Sequence, residues 1–312
     1  MITGLTMQNS SLKAIDILAL VLLSATWASS FSFIKIGLDS FGPLSLAATR
    51  IVISAVFLWV FLKLKGHSLP SDKQSWKTLF IAAFTATTLP FVMISWGQQF
   101  VDSGTAAILM AFAPIATVIL AHALTSDEKM TPSIIIAVLA GFAGVYVLFD
   151  GGNFSLQSKP LQGQIMILLA TVGYALSNIF IKRTNYMHPM VSGTGVMVAA
   201  AILITPISLI FDPFWHYDIT PRGWFAVIYL GIVTSGLAAL IMVWIIFRRG
   251  VTFMSFNNFM LPIFAIIWGY YLLGEVADAN SWTALALILS GLGIMIVSKK
   301  HPRMKIKTNH LK

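Results

Sequence analysis

The chain has 312 residues, of which 57% are hydrophobic and 10% charged, with a mean hydropathy of +0.85 and a formal net charge of +9. A soluble domain carries roughly 25% charged residues, so this composition excludes a soluble fold and describes a polytopic membrane protein. Zero cysteines exclude disulfides, thiolate metal sites and a cysteine nucleophile.

Spans of about 20 mainly apolar residues cross a bilayer core of roughly 30 Å. Ten such spans are predicted, at 13–37, 43–63, 77–99, 103–124, 131–150, 162–182, 189–211, 222–247, 252–274 and 280–298. The stretch 12–37 is too long for the h-region of a cleavable signal peptide and has no clear small-x-small site. Connections are short. The longest are 63–77 and 150–161, and the second of these, with its Gly-Gly-Asn and Lys-Pro, marks a flexible mid-chain link. It divides the sequence into an N-terminal five-helix half, 1–150, and a C-terminal half, 151–312, that ends in a basic tail.

Basic residues set the expected orientation. With the N-terminus in the cytoplasm, 16 of the 20 Lys and Arg fall on the cytoplasmic side. Lys35, Lys159 and Arg222 fall opposite, and Arg50 lies within a span. The positive-inside rule then places both termini in the cytoplasm. The basic residues sit in short loops and the tail without interleaved aromatics, so no nucleic-acid partner is expected and the tail reads as an anchor near anionic lipid.

The two halves repeat. The stretch 258–275 is apolar, carries Pro262 near its middle and closes on Glu275; 110–128 has the same body, with Pro114 and Glu128. An interior proline donates no N–H and frees a carbonyl that protein, water or ligand must satisfy in hydrocarbon. The prolines are 148 residues apart and the glutamates 147. Trp27 pairs with Tyr174 and Lys35 with Lys182 at offset 147, Trp76 with Trp224, Trp96 with Trp244 and Thr87 with Ser235 at 148, and Gly144 with Gly291 at 147. Because each half has an odd number of spans, the second enters the membrane from the opposite side. The expected fold is an all-α membrane protein of ten transmembrane helices, arranged as two inverted five-helix repeats with a site near the midplane between them.

The chain resembles the EamA-like members of the drug/metabolite transporter superfamily over nearly its whole length. The marks are W-A-S-S-F-S-F-I-K at 27–35, P-L-S-L-A-A-T-R at 43–50, Ala113-Pro114 through Glu128, the stretch 163–183, and Leu261-Pro262 through Gly274-Glu275. One departure is that the Gly-Glu pair appears in the first half as Asp127-Glu128. The resemblance implies ten helices, both termini inside, and export of small metabolites, commonly amino acids.

The sequence contains no H-E-x-x-H, Walker loop or paired intramembrane carboxylate, so no enzyme is expected and no cofactor or metal. His122 reads as an interfacial side chain, with a proton role as the alternative. The acidic residues fall at span ends or in loops. A mid-membrane carboxylate for a proton relay is absent, so exchange or uniport is compatible with the sequence, and proton coupling stays open through Asp16, Asp39 or Asp102.

Arg50 lies about two turns, roughly 10 Å, into span two. It serves either as a structural contact, to carbonyls or to Asp39 or Asp102, or as a clamp for a substrate carboxylate. Its repeat counterpart is Met197, so the halves differ here. Trp27, Ser30, Phe31 and Ile34 share one helix face, matched in span six by Tyr174, Ser177, Asn178 and Ile181. These faces read either as helix packing or as a stripe for an amphipathic solute. Asn257 and Asn258 beside Pro262 are further candidates, Pro114 and Pro262 are candidate hinges, and Gln98 and Gln99 are expected at the interface.

The expected function is alternating-access movement of a small polar or amphipathic metabolite across a bacterial inner membrane, outward in direction. Spans one, three, four, six, eight and nine line the expected cavity. The expected partners are a small-molecule substrate and membrane lipid, with a homo-oligomer left open. The rival readings are an importer of a sugar or nucleotide derivative on the same scaffold, or a non-transporting membrane sensor or scaffold.

Overall fold

The computed structural model describes residues 13–124, 130–149, 158–181 and 187–299. Glu128, Lys182 and nearly all of the basic tail lie outside the described residues.

Among the described residues nine helices are long and apolar enough to cross a membrane, and Pro132–Leu148 is a shorter tenth. Its 17 residues rise about 25 Å at 1.5 Å each. Spans one and two are α1 (Ala14–Leu38) and α2 (Pro43–Leu64), the latter entered through a proline at its first turn, where no N–H is needed. Span three is α3 (Lys73–Ala83), a π-helical segment (Phe84–Thr88) and α4 (Leu89–Gly97). Span four is α5 (Ser103–Met110) and α6 (Ala113–Leu124), and span five is α7 (Pro132–Leu148).

The second half repeats this order. Spans six and seven are α8 (Lys159–Ile181) and α9 (Pro189–Phe211). Span eight is α10 (Pro221–Tyr229), a second π-helical segment (Leu230–Leu237) and α11 (Ala238–Met254). Spans nine and ten are α12 (Asn257–Leu273) and α13 (Ala279–Lys299). Gly250, at φ 83° and ψ 169°, turns the chain between spans eight and nine inside α11, a conformation that favours glycine.

The two π segments occupy equivalent places in the repeat and have legible causes. Pro90 offers no N–H to the Ala86 carbonyl, and Thr85 Oγ1 bonds back to the Ile81 carbonyl at 2.9 Å. The register slips, so that Leu89 N–H reaches the Phe84 carbonyl five residues back. In span eight Gly231 and Gly236 loosen the helix, Thr234 Oγ1 bonds back to the Leu230 carbonyl at 2.9 Å, and Ala238 N–H reaches the Val233 carbonyl. Hydroxyl back-bonding of this kind bends helices.

Helix contacts interleave the halves. Span one packs against spans eight and nine, and span six against spans three and four. Spans two and seven pack on each other, as do spans five and ten. Lipid supplies no hydrophobic drive between helices, so small residues that let backbones approach carry this packing. At the α7–α13 contact a Cβ on Gly291 would stand 2.6 Å from the Ala137 carbonyl oxygen, and one on Gly144 would stand 2.9 Å from that of Ala284. These two glycines are repeat mates, each admitting the other's helix.

The proline-bearing spans are not alike. In span four the helix stops after Met110 and restarts at Ala113, with Phe112 N–H on the Leu109 carbonyl, so Pro114 stands in the first turn of α6. In span nine Pro262 is interior to α12, and the interruption comes earlier, at 255–256 between α11 and α12. The expectation that both spans break at their prolines therefore holds beside Pro114 only. The helix before Pro262 yields where Ser255 Oγ bonds the Thr252 carbonyl at 2.7 Å.

Candidate functional site

Arg50 is at the middle of the inter-half contact. Its side chain is 7% exposed. Nε donates to Ser235 Oγ at 2.9 Å and Nη2 to Thr234 Oγ1 at 3.2 Å, both in the π segment of span eight. The guanidinium lies over the Phe91 ring of α4, 4.0 Å from its centroid, a cation–π contact that desolvation strengthens. Asp39 and Asp102 are both exposed at helix ends, and neither pairs with it. Among the described residues Arg50 has no carboxylate partner, and Nη1 makes no hydrogen bond.

Trp27 joins this cluster from the other side of the same π segment. Its indole Nε1 donates to the Thr234 carbonyl at 3.1 Å, in the region where the i+4 pattern is interrupted. Thus Trp27 and Arg50, two of the residues singled out in the sequence, converge on Thr234, with Phe91 against the guanidinium. Phe91, Thr234, Ser235 and the cross-half donor Trp268 were not singled out as site residues. Trp268 Nε1 donates to the Ala25 carbonyl at 2.9 Å. The signal for the π segment was the Thr87–Ser235 pairing, which served only as a mark of the repeat.

The remaining residues are dispersed. Ser30 Oγ turns back to the Trp27 carbonyl at 2.6 Å, and Phe31 is buried in the core. Asn178 is exposed and reaches Thr117 Oγ1 of span four at 3.4 Å. Asn257 is 4% exposed with an unpartnered Oδ1, and Asn258 is half-buried. Neither amide bonds to the Arg50 cluster. His122 is exposed, with Nδ1 accepting from Met130 N–H at 3.3 Å. Gln98 corrects an expectation: it is not interfacial but fully buried, with Nε2 donating to the Phe31 carbonyl at 3.0 Å and Oε1 unpartnered. The chain leaves the helix at this glutamine, and its amide fills the space between spans three and one.

Three buried hydroxyls lie one helical turn from Arg50, Phe91 and Tyr174. Ser54, Thr88 and Ser177 are buried with no hydrogen-bond partner among the described residues. Ser54 is one turn from Arg50 on α2, Thr88 one turn from Phe91 in span three, and Ser177 one turn from Tyr174 on α8. Spans two and six run one way and span three the other, so the three hydroxyls are displaced in the same direction along the bundle from those residues. One turn is about 5 Å. Buried hydroxyls are ordinarily hydrogen-bonded.

A second, charged constellation closes one end of the seam between α1 and α11. Asp16, fully buried, accepts from Arg248 Nε at 2.5 Å, from Arg249 Nε at 2.7 Å and Nη2, and from Lys13 N–H at 3.1 Å. At the opposite end the halves are joined by caps. Asp212 accepts from Leu44 and Ser45 N–H, each at 2.9 Å, at the start of α2. Glu275 accepts from Ser103 N–H at 2.9 Å and from its hydroxyl at the start of α5. Both carboxylates therefore face helix N-termini, where the backbone dipoles favour negative charge.

A bundle of ten apolar helices with a buried guanidinium between two interleaved halves fits a membrane transporter. The sequence matches the EamA-like transporter family over residues 14–150 and again over 161–298, and the chain belongs to that family. It is 26% identical to "Uncharacterized inner membrane transporter YedA" of Escherichia coli (strain K12), over 90% of each chain. It is 24% identical to "Probable terminal-alkyne amino-acid exporter" of Streptantibioticus cattleyicolor, over 90% of this chain and 93% of that one. A solved crystal structure shares the fold with a TM-score of 0.63 at 19% identity, over 92% of this chain and 96% of that one.

Proposed function

We propose that the protein exports a small carboxylate-bearing, amphipathic metabolite, of the amino-acid class, across the bacterial inner membrane by alternating access. The carrying observation is Arg50: a buried cation with two nitrogens fixed on Ser235 and Thr234 and, among the described residues, a third without a bond and no carboxylate partner. A charge held inside a membrane protein marks a substrate or ion path, and a planar guanidinium suits a carboxylate.

In this reading the cargo carboxylate sits on Arg50, its apolar part lies against Phe91 and Trp27, and its second polar group meets Ser54, Thr88 and Ser177. Of these, Ser54 is one turn from Arg50 on the same helix, and such buried hydroxyls suit an ammonium or hydroxyl on the same small solute. Support for amino-acid cargo comes also from the relative named as an exporter of terminal-alkyne amino acids. Pro114 and Pro262 act as hinges for rocking of spans four and nine, and both termini face the cytoplasm. An importer of a sugar or nucleotide derivative would use the same scaffold but would place a phosphate or hydroxyls on Arg50.

The test is flux in proteoliposomes holding the full chain, with a panel of amino acids, their decarboxylated amines, sugars and nucleotide derivatives, with and without a pH gradient. Transport confined to carboxylated solutes supports the proposal. Transport of amines equal to that of amino acids contradicts it.

A further inference from the structure

At one end of the α1–α11 seam a single buried carboxylate meets two arginines. Asp16 bonds the side chains of Arg248 and Arg249, while Lys13 supplies only its backbone N–H. Arg248 is the outward member: its side chain is 37% exposed, Nε is on Asp16, and its guanidinium lies 5.2 Å from the Trp244 ring centroid. Its two terminal nitrogens have no acceptor among the described residues.

Directly beside it a groove of about 380 Å³ runs along the seam. It is lined by Ile15, Ala19 and Leu22 of α1 and by Leu240, Ile241 and Trp244 of α11. Ile15 and Leu22 are more than half exposed, so the groove opens on the face the bilayer covers. Trp244 stands between the apolar groove and the charge, as tryptophan does at a membrane interface. The equivalent seam, between α8 and α4, is built otherwise. Gly163 stands where Asp16 does and Phe100 where Arg248 does, and Gly163 packs on the Gly97 carbonyl, where an added Cβ would be 2.6 Å away. Lys159 lies over Phe100 at that end, 6.0 Å from the ring centroid, so what belongs to one seam alone is the buried carboxylate with its two arginines and the groove beside them.

We infer that the α1–α11 seam binds an anionic phospholipid of the surrounding bilayer, its phosphate on Arg248 and one acyl chain in the groove. The ligand ties helices from the two halves and stabilises closure at that end. Basic clusters near the membrane surface recognise anionic headgroups in this way, each basic side chain contributing about fivefold in affinity. The inference does not rest on the role proposed for Arg50.

The test reconstitutes the full chain into vesicles of phosphatidylcholine with added bromine-labelled phosphatidylglycerol or bromine-labelled phosphatidylcholine. The Trp244 contribution is the wild-type fluorescence less that of Trp244→Phe, which keeps a ring under Arg248. This contribution should be half-quenched at about fivefold less phosphatidylglycerol than phosphatidylcholine. Arg248→Gln should abolish the preference, Arg248→Lys should keep most of it, and Ala19→Phe, which fills the groove, should weaken quenching by both lipids. Soluble glycerol phosphate should not relieve the quenching. Equal quenching by the two headgroups overturns the inference, as does a preference that survives Arg248→Gln, competition by glycerol phosphate, or unchanged quenching in Ala19→Phe. If Arg248→Gln does not fold, the Arg248→Lys and Ala19→Phe results still decide. Lipid drawn only to the basic tail would leave the Trp244 difference unselective.

Discussion

Arg50 and Ser235 are 185 residues apart and share a hydrogen bond of 2.9 Å across the two halves of the molecule. The bond exists because the helix of span eight changes register at 230–237 and turns the hydroxyls of Thr234 and Ser235 toward α2. Any motion that separates α2 from span eight must break it or carry it along.

Ser235→Ala should therefore act through Arg50. The variant leaves one nitrogen of a buried cation without its acceptor, at a cost of about 1–3 kcal/mol. The protein is expected in normal yield, with substrate affinity reduced several-fold or more. Wild-type affinity in Ser235→Ala would show that Arg50 is positioned by Thr234 and Phe91 alone.

The charged closure at Asp16 should behave differently. Asp16→Asn strands two arginines that now share one buried carboxylate. Removing the carboxylate leaves both arginines without their anion, so a clear fall in melting temperature is expected. Exchange of Asp16 together with Arg249, as Asp16→Asn with Arg249→Gln, should recover part of the loss because less charge is stranded.

A pH effect is expected at the other end. The Tyr217 hydroxyl donates to Asp212 Oδ1 at 2.5 Å, and this bond to a carboxylate pushes its pKa up from 10.0 to about 12. The protonated form is the one favoured in the fold. Its contribution is complete below pH 10.0, and is lost as pH rises toward about 12. Tyr217→Phe should lower the melting temperature near neutrality, and its gap from the wild type should narrow across that window. A gap independent of pH would place the effect of Tyr217 in packing.

The two prolines should also separate. Pro262 is interior to α12, and Pro262→Ala restores an N–H to the Asn258 carbonyl. Insertion should be normal and transport reduced if the bend in span nine is used in the cycle. Pro114 stands in the first turn of α6, where it takes no helical bond away. Pro114→Ala should therefore change transport less than Pro262→Ala, as measured by initial flux in proteoliposomes at matched protein content.

The ten spans were legible because each is a long apolar run with polar ends, and the bounds agree to within a few residues except where α11 runs on to Met254 and α12 starts only at Asn257. The repeat was legible from paired residues, and Gly144 and Gly291 show why such pairs exist: each is held to glycine by the other's helix. What the sequence did not reveal was the slip from α to π register. Thr85, Pro90, Gly231 and Thr234 each carry a weak local signal, and only their three-dimensional sum turns Ser235 toward Arg50. Gln98 was misplaced for a similar reason. Its position near a span end suggests water, whereas the neighbouring carbonyl of Phe31 draws it inside. Arg50 itself was legible as unusual, since a charge in an apolar span needs a reason, but its neighbours Phe91 and Thr234 look like ordinary span residues.

The most direct test of the account is ligand stabilisation in the wild type and in Arg50→Lys, read as the shift in melting temperature. The probes are amino acids that the wild type transports, each beside its decarboxylated amine. Arg50→Lys keeps the charge and loses the planar two-donor fork, and a charge-assisted bond of this kind is worth about 1.5–3 kcal/mol. The wild type should be stabilised by the amino acid and not by the amine. In Arg50→Lys the stabilisation should fall to what about ten- to a hundredfold weaker binding gives, at normal folded yield. Stabilisation by the amino acid that is unchanged in Arg50→Lys would contradict the account.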